Sequence, residues 1–556
     1  MIKKRQVLEC DVLVVGGGIG GLMAAIAAAE KGVSVMVAEK ANTLRSGSGA
    51  TGNDHFLCYL PEHHGPDIEA YVNEFSQSPL SICSDKKLIR TFAEQSRFRV
   101  EDWNNWGIPM KPHGYYEFTG HGVPGKPHPA LKYAGIDQKK VLTAQALKRG
   151  VTILNKMPIN ELITKEGEII GAIGIVVEND EPELQVIRAK SVILATGNTS
   201  RLYPAKTPGW MFNMANCPAC TGGGRAAAYR AGAILINLDI PHTHAGMKYF
   251  NRCGKGTWIG VYRNAKGEAV GQFVTTPTRL YGDSTGDHWT DMFVHRYGQG
   301  EPTFMDCSQI SDEDLDYMRW GLSNEGNTAT LNYFDKEGID FRKHMVEFTQ
   351  YEPILVGRGV ETDEHTAASL PGLYAAGEET GNFRGDIGGA ATYGWIAGNS
   401  AAQRAGSVSY QAAEKSPIVQ EKIELYSTIL GRKPGPSYST WKEANVAVQQ
   451  IMTDYAGVSV RSDTLYKVGL EYLGQLKRRI YDTISCENAH EFSRCLEVLD
   501  LLDIGELVMI CGRERKETRF LHKRVDHPYT SPVYNNKFLT VRKTNGAPEL
   551  RWRDRQ

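Results

Sequence analysis

The chain has 556 residues, 63 Lys/Arg against 64 Asp/Glu, 41% apolar and 23% charged residues, and ten cysteines. The length allows two to four domains, and a net charge near zero excludes a nucleic-acid binder driven by bulk charge. No run approaches the roughly 20 apolar residues that span a bilayer, and ten cysteines scattered over this length are not a disulfide scaffold, so a reducing cytoplasm is expected.

The first predicted unit is a nucleotide cradle. Residues 11–21 read Asp-Val-Leu-Val-Val-Gly-Gly-Gly-Ile-Gly-Gly, a buried-strand run that ends in a G-x-G-x-x-G spacing at Gly16, Gly18 and Gly21. A helix former follows from Leu22 to Lys31, Gly32 stops it, and Val33–Ala38 reads as a second strand ending at Glu39. Gly16 permits the tight turn, Gly18 lets backbone approach a pyrophosphate, and Gly21 lets helix and strand pack closely. The helix N-terminus offers unpaired N–H groups, and Glu39 offers an acceptor to a ribose. Gly16, Gly18, Gly20, Gly21, Glu39 and Lys40 are therefore candidate cofactor-binding residues. With the strand beginning near residue 11, no room is expected for a signal or transit peptide.

Next comes a loop of small residues, Lys40 to Asp54, able to lie against a flat ring; Ser46, Gly47 and Gly52 join the candidates. A β-rich hairpin region from Gly167 closes with Ser191-Val-Ile-Leu-Ala-Thr-Gly197, a second strand end (Ala195, Thr196, Gly197). A third is Leu373-Tyr-Ala-Ala-Gly-Glu378, followed by Gly388-Gly-Ala-Ala-Thr392 and a helix of small residues, adding Gly377, Glu378, Gly389 and Thr392. Elements split so widely imply one nucleotide-binding domain with an insertion rich in Tyr, Trp and Gly, read as a cap. After residue 406 the pattern turns helical: Leu465, Val468, Tyr472 and Leu476 share a face behind Ser462 or Asp463 as N-cap, and a helix is expected over 489–510. An irregular basic tail is expected from Cys511, with 12 Lys/Arg against 5 Asp/Glu, either a docking face or a solvated surface. No second strand–G-x-G-x-x-G–helix unit follows, so electrons are expected to go to a small substrate or a protein rather than NAD(P)H.

These motifs, with Arg45-Ser-Gly47, Thr221-Gly-Gly-Gly224, Asn264-Ala-Lys-Gly-Glu268 and the Arg515-Lys-Glu-Thr-Arg519, His522, Arg524, Asp526, Pro528 cluster, resemble the flavoprotein-subunit family of succinate dehydrogenase, fumarate reductase, L-aspartate oxidase and adenylylsulfate reductase, closer to the adenylylsulfate reductase branch. The resemblance implies a Rossmann-type α/β FAD-binding domain with an inserted α+β capping domain and a C-terminal helical domain. The boundaries expected are 1–245 and 351–405 for the FAD-binding domain, 246–350 for the cap and 406–556 for the helical end. It implies FAD, redox chemistry at flavin N5, a small-molecule substrate and an iron–sulfur or ferredoxin-like partner, with membrane association only through such a partner.

Departures narrow the reading. Where succinate dehydrogenases carry flavin on a His after Arg-Ser, this chain has Gly47, so FAD is expected to be non-covalent. Of the cationic clamp that holds dicarboxylates, His244 is retained. A second His is replaced by Ile354, Arg384 is displaced, the proton-donating Arg falls at Gly286-Asp287, and Arg-Gly-Glu-Gly-Gly has become Gly256-Thr-Trp-Ile-Gly260. Buried carboxylates must be paired, so fumarate or succinate is disfavoured; Trp258, Trp289, Tyr262 and Tyr297 are expected to offer aromatic surfaces to a flatter substrate, and Trp210-Met-Phe-Asn213 points to the adenylylsulfate reductase branch. His244, His242 and Arg384 are the candidate catalytic residues. His242-x-His244 has no identifiable third ligand, so no metal is expected. Cys217-Pro-Ala-Cys220 is either structural or a redox dithiol. The alternatives are an adenylylsulfate reductase α chain proper and a non-catalytic flavin electron carrier.

Overall fold

The computed structural model describes residues 1–120, 127–205, 214, 216–248, 257–270, 276–280 and 301–556. Its centre is an eight-stranded sheet. Strand Leu8–Val15 lies between Val35–Ala38 and the long strand Glu183–Leu194, parallel to both, with Thr152–Leu154 at one edge. Val12, Leu13, Val14 and Val15 are buried because both faces of the strand are covered, Val12 and Val14 by the helices Ile19–Ala29 and Asp386–Ala405 and Leu13 and Val15 by a second hydrophobic cluster, hence the unbroken apolar run. Glu183–Leu194 is one strand from hairpin to strand end. Its first half pairs with Glu168–Val176 and its last residues with Leu373–Ala375, which sets the second and third predicted strand ends side by side.

The glycines fix how closely the layers approach. A side chain on Gly21 would collide with the Gly16 carbonyl. The helices Ile19–Ala29 and Asp386–Ala405 cross on small residues: a Cβ on Gly398 would lie 2.8 Å from the Ala27 Cβ and still nearer the Ala24 carbonyl, and one on Gly394 would strike the Gly20 carbonyl.

Residues 245–350 carry a separate four-stranded antiparallel sheet, Ala245–Met247, Val346–Gln350, Thr303–Asp306 and Val261–Asn264 in spatial order, with helices Asp312–Asn324 and Thr328–Lys336. Here an expectation is corrected. Trp258 packs edge-on against Phe341 and Phe348, and Tyr262 against Phe348; both are core residues of this unit, since burial of their large ring area stabilises a small sheet. Trp289, Tyr297, Gly256, Gly286-Asp287, Cys253 and Trp210–Asn213 lie outside the described residues.

Four helices follow, Pro417–Gly431, Trp441–Ala456, Asp463–Thr483 and Ala489–Glu514. Ser462 caps the third by accepting from Leu465 N–H. The tail is not irregular throughout: residues 515–536 have no strand and one short turn of helix, but the end is ordered. Lys537–Thr544 and Ala547–Asp554 form a hairpin turned at Asn545-Gly546, both at positive φ, and its first strand adds to Leu235–Ile236. Nor is all of its charge left to solvent: Arg553 reaches Asp85 at 2.6 Å, Arg515 and Arg519 share Glu517 at 2.6 and 2.7 Å, and Arg524 meets Asp526 at 2.7 Å. Arg553 thereby ties the end of the chain to Asp85, and Arg515 also bonds Asp239, whereas the Glu517 and Asp526 pairs lie within the tail itself.

Substituting Gly398→Val forces side-chain atoms into the Ala24 backbone. Overpacking of this kind costs about 1–3 kcal/mol; a chemical-denaturation curve should show the midpoint fall, and an unchanged midpoint would mean that the two helices separate freely.

Candidate functional site

One cleft runs along the carboxyl ends of the parallel strands, lined by Gly16, Gly18, Gly20, Glu39, Lys40, Ser46, Gly47, Ala195, Thr196, Gly197, Gly377 and Glu378 among others. Three chain segments converge there by backbone contact. A Cβ on Gly16 would lie 2.5 Å from the Ala195 carbonyl, and one on Gly20 3.4 Å from Gly377 N, whereas one on Gly18 would meet nothing nearer than 3.9 Å. Gly18 thus presents open backbone to the cleft. Glu39 is buried and accepts from Gly17 N–H and Ala41 N–H, each at 2.7 Å; each oxygen keeps a lone pair. Glu378 accepts from the Asn198 amide at 2.8 Å, and burial raises its carboxyl above the ordinary range.

Four candidates fall elsewhere. Gly52 packs against the Asn324 carbonyl, where a side chain would collide; its glycine serves the seam with residues 245–350. Gly389 lies against the Phe383 ring, and Thr392 is buried inside the helix Asp386–Ala405; neither lines the cleft. Gly21 packs helix on strand and also stands behind the wall.

The candidate catalytic residues come together. His242 and His244 stand with ring centroids 4.7 Å apart. The backbone of His242 exchanges two hydrogen bonds with Ile354, at 2.9 and 2.8 Å, which holds this loop extended. Arg384 lies 2.8 Å from His242 Nε2 through Nη1, and its Nε donates to Asp386 at 3.0 Å. A guanidinium only donates, so His242 Nε2 accepts and its ring proton sits on Nδ1. His244 and Asp386 line the cleft; His242 and Arg384 are buried behind them. Asp386 holds φ 45°, a strained backbone of the kind that clusters at functional positions. Ile354 is buried and apolar.

Several contributors escape the sequence. Arg225, buried on the helix Gly223–Arg230, donates to the carbonyls of Gly197 (2.6 Å), Arg358 (2.8 Å), Leu355 (3.2 Å) and Glu378, tying the second strand end to the third. Lys139 donates to the Gly17 carbonyl, and burial lowers its ammonium to about 8. His55 lines the cleft and bonds Asp54 at 2.8 Å, while Lys132 donates to Asp54 and to Thr257 at 3.1 Å each. Burial alone would raise Asp54; Lys132 and His55 outweigh it and hold the carboxyl well below its ordinary value. The last long helix supplies Ser493, Glu497 and Asp500 to the far wall. Lys40, Arg201 and Arg494 surround Glu497 at 2.8, 2.6 and 2.8 Å. A Cβ on Gly223 would lie 3.0 Å from Asp500 Oδ2. The one available signal was Thr221-Gly-Gly-Gly224, a glycine run leading directly into Arg225. Among the described residues no helix is long and apolar enough to cross a membrane.

A parallel sheet with glycine-marked strand ends, a helix N-terminus and an acid after the second strand defines a dinucleotide-binding α/β protein. The chain matches the FAD binding domain model over residues 11–392 and the fumarate reductase flavoprotein C-terminal model over 445–555. It is 25% identical to one of the subunits of a fumarate reductase (CoM/CoB) from Methanothermobacter marburgensis, across 97% of this chain and 98% of the relative. It is 23% identical to an L-aspartate oxidase from Streptomyces coelicolor, across 96% and 92%. Its fold matches adenylylsulfate reductase from Archaeoglobus fulgidus with a TM-score of 0.86 and 21% identity, across 100% of this chain and 96% of that one. The chain belongs to the FAD-binding flavoprotein family of fumarate reductase and L-aspartate oxidase, and is an FAD-dependent oxidoreductase. The cleft suits FAD: beyond the open backbone at Gly18, its walls bury Ser46 Oγ, Thr221 Oγ1 and Asn160 Oδ1 with no protein partner, and such atoms call for polar groups from a ligand.

Asp500 gives this site a pH signature. Burial is the largest influence and raises its carboxyl to about 7, against which Arg230 pulls down while Glu161 and Asp503 push up. Between the ordinary 3.8 and about 7 the folded chain holds a proton that the unfolded chain has lost, so stability falls as pH rises through that window. Asp500→Asn should flatten this slope and be the more stable form at pH ~8, by up to about 4 kcal/mol; parallel denaturation midpoints at both ends of the window that stay together for the two proteins would rule it out.

Proposed function

We propose that this chain moves an electron pair between non-covalently held FAD and a small anionic metabolite bound beside His244, and that it exchanges electrons with an iron–sulfur or ferredoxin-like protein. Bound FAD supplies reversible two-electron chemistry at its ring system. Gly16, Gly18 and Gly20 would take the pyrophosphate on open backbone, Glu39 the adenosine ribose, and Ser46, Gly47, Thr196, Gly197 and Glu378 the remainder. Gly47 offers no side chain for a covalent link, which is the ground for expecting FAD to leave on denaturation.

The observation that carries the substrate side is the row Arg384–His242–His244. Asp386 and His242 both bond Arg384, so the guanidinium is fixed in direction before anything binds and holds the His242 ring in place behind His244 without reorganisation. His244, on the cleft wall, is the residue of the row placed to touch substrate and to carry a proton near neutral pH. Ile354 supports a substrate other than a C4 dicarboxylate, because an unpaired second carboxylate against an apolar side chain is costly. The partner reading rests on the Methanothermobacter relative, which is named as one subunit of its enzyme.

Acid precipitation of the yellow protein should leave FAD in the supernatant; flavin that stays with the pellet would refute non-covalent binding. Photoreduced protein offered a panel of small carboxylates and carrier proteins should be reoxidised by one small molecule. For that molecule His244→Gln should slow reoxidation by about 10²-fold or more with the flavin spectrum unchanged. Reoxidation by proteins alone would mean that the chain is a carrier with no substrate of its own.

A further inference from the structure

The cleft holds a second group suited to redox work. Cys220 N–H donates to the Cys217 carbonyl at 3.0 Å, closing a turn with Pro218 at the position where its fixed φ favours such turns. A closed turn holds its end residues within about 7 Å between Cα atoms, near the 4.4–6.8 Å range that a disulfide needs. Both cysteines line the FAD cleft, Cys217 half-buried and Cys220 buried. Gly197 makes room for the inner sulfur, since a Cβ there would sit 2.9 Å from Cys220 Sγ. Lys40, also on the cleft wall, donates through Nζ to the Ala219 carbonyl inside the turn at 2.6 Å.

We propose that Cys217 and Cys220 form a redox-active dithiol, a second two-electron centre that exchanges electrons with FAD. In the oxidising direction, the Cys217 thiolate and the Cys220 thiol form one Sγ–Sγ bond, the Cys220 S–H bond breaks, and the electron pair passes to oxidised FAD, which takes up one proton to balance the one released. The reverse step returns the pair from reduced FAD and restores thiolate and thiol. The two sulfurs are differentiated as this requires. A hydrogen bond from Cys220, helped by Lys40 and the backbone of Ala219 and Gly47, lowers Cys217 to about 6, while the same bond and burial push Cys220 up. A low thiol beside a protonated one is the arrangement of reactive pairs. By contrast, burial drives Cys10 and Cys307 to about 12, which leaves them inert.

The proposal rests on FAD occupying this cleft, and its test separates the two. Anaerobic titration of yellow holoprotein with dithionite, followed by absorbance, should consume two electron pairs per FAD in the wild type and one in Cys217→Ser. After oxidation, alkylation under denaturing conditions and peptide mapping should find Cys217 and Cys220 protected as one disulfide; mapping also separates them from Cys486 and Cys495. Cys220→Ser should gain a long-wavelength thiolate-to-flavin absorbance that fades on acidification. A yellow protein that takes one electron pair, with both thiols alkylated after oxidation, overturns the dithiol and leaves the FAD reading intact; a protein that binds no FAD overturns both.

Discussion

The structure depends on backbone meeting backbone. At the carboxyl edge of the sheet the turn after Leu8–Val15, the end of Glu183–Leu194 and the end of Leu373–Ala375 come so near one another that side chains would fill the space. Bare backbone leaves Gly18 and the N-terminus of the helix Ile19–Ala29 open to the cleft, and a helix N-terminus makes an anion site out of main chain alone. The same economy governs the helix that starts there: Gly394 and Gly398 let Asp386–Ala405 press on Ile19–Ala29, which anchors the cradle from behind. Arg225 then closes the gap that backbone alone leaves, its guanidinium spread over four carbonyls from two strand ends and the segment between them.

Around this core, charge is used to join parts distant in sequence. Asp54 and Lys132 bond to each other and to Thr257 on the inserted unit. Glu497 draws Lys40 and Arg201 to the last long helix. His522, which burial and then Arg461 hold well below its ordinary value, bonds Arg461 at 2.9 Å, and Arg461 donates in turn to the Asp239 carbonyl at 3.0 Å. Buried groups of this kind add little net stability when intact, yet are costly to break by halves. They fix how the units sit against the cleft more than they hold each unit together.

Much of the cradle was legible because its signals are local. The run Val12–Val15, the glycine spacing, the helix of alanines and Glu39 are contiguous, and each dictates its neighbour's geometry. The third strand end was legible for the same reason. What was missed required knowledge of contacts across hundreds of residues. Gly52 and Gly389 are glycines for packing against Asn324 and Phe383, and sequence gives no way to tell such a glycine from one that faces a ligand. Trp258 and Tyr262 read as a binding surface because aromatic residues in a glycine-rich stretch have two uses, and only the sheet of residues 245–350 shows that they fill its core. The tail is a different lesson: Asn545-Gly546 between Lys537–Thr544 and Ala547–Asp554 is a strong hairpin signal, but the surrounding charge drew the reading toward irregular surface.

The distance along the chain between the pieces of the cradle has a consequence for how the molecule is made. Gly20 and Gly377 meet only after every residue between them has left the ribosome, and the supporting helix ends at Ala405. Until then the end of Glu183–Leu194 lacks its partner Leu373–Ala375, and an apolar parallel strand with an open edge invites mispairing. The inserted unit has its own hydrophobic cluster and can collapse while it waits, shortening the loop that must close. Chaperone engagement during synthesis should therefore concentrate on nascent chains that have passed Leu194 and not yet reached Ala375.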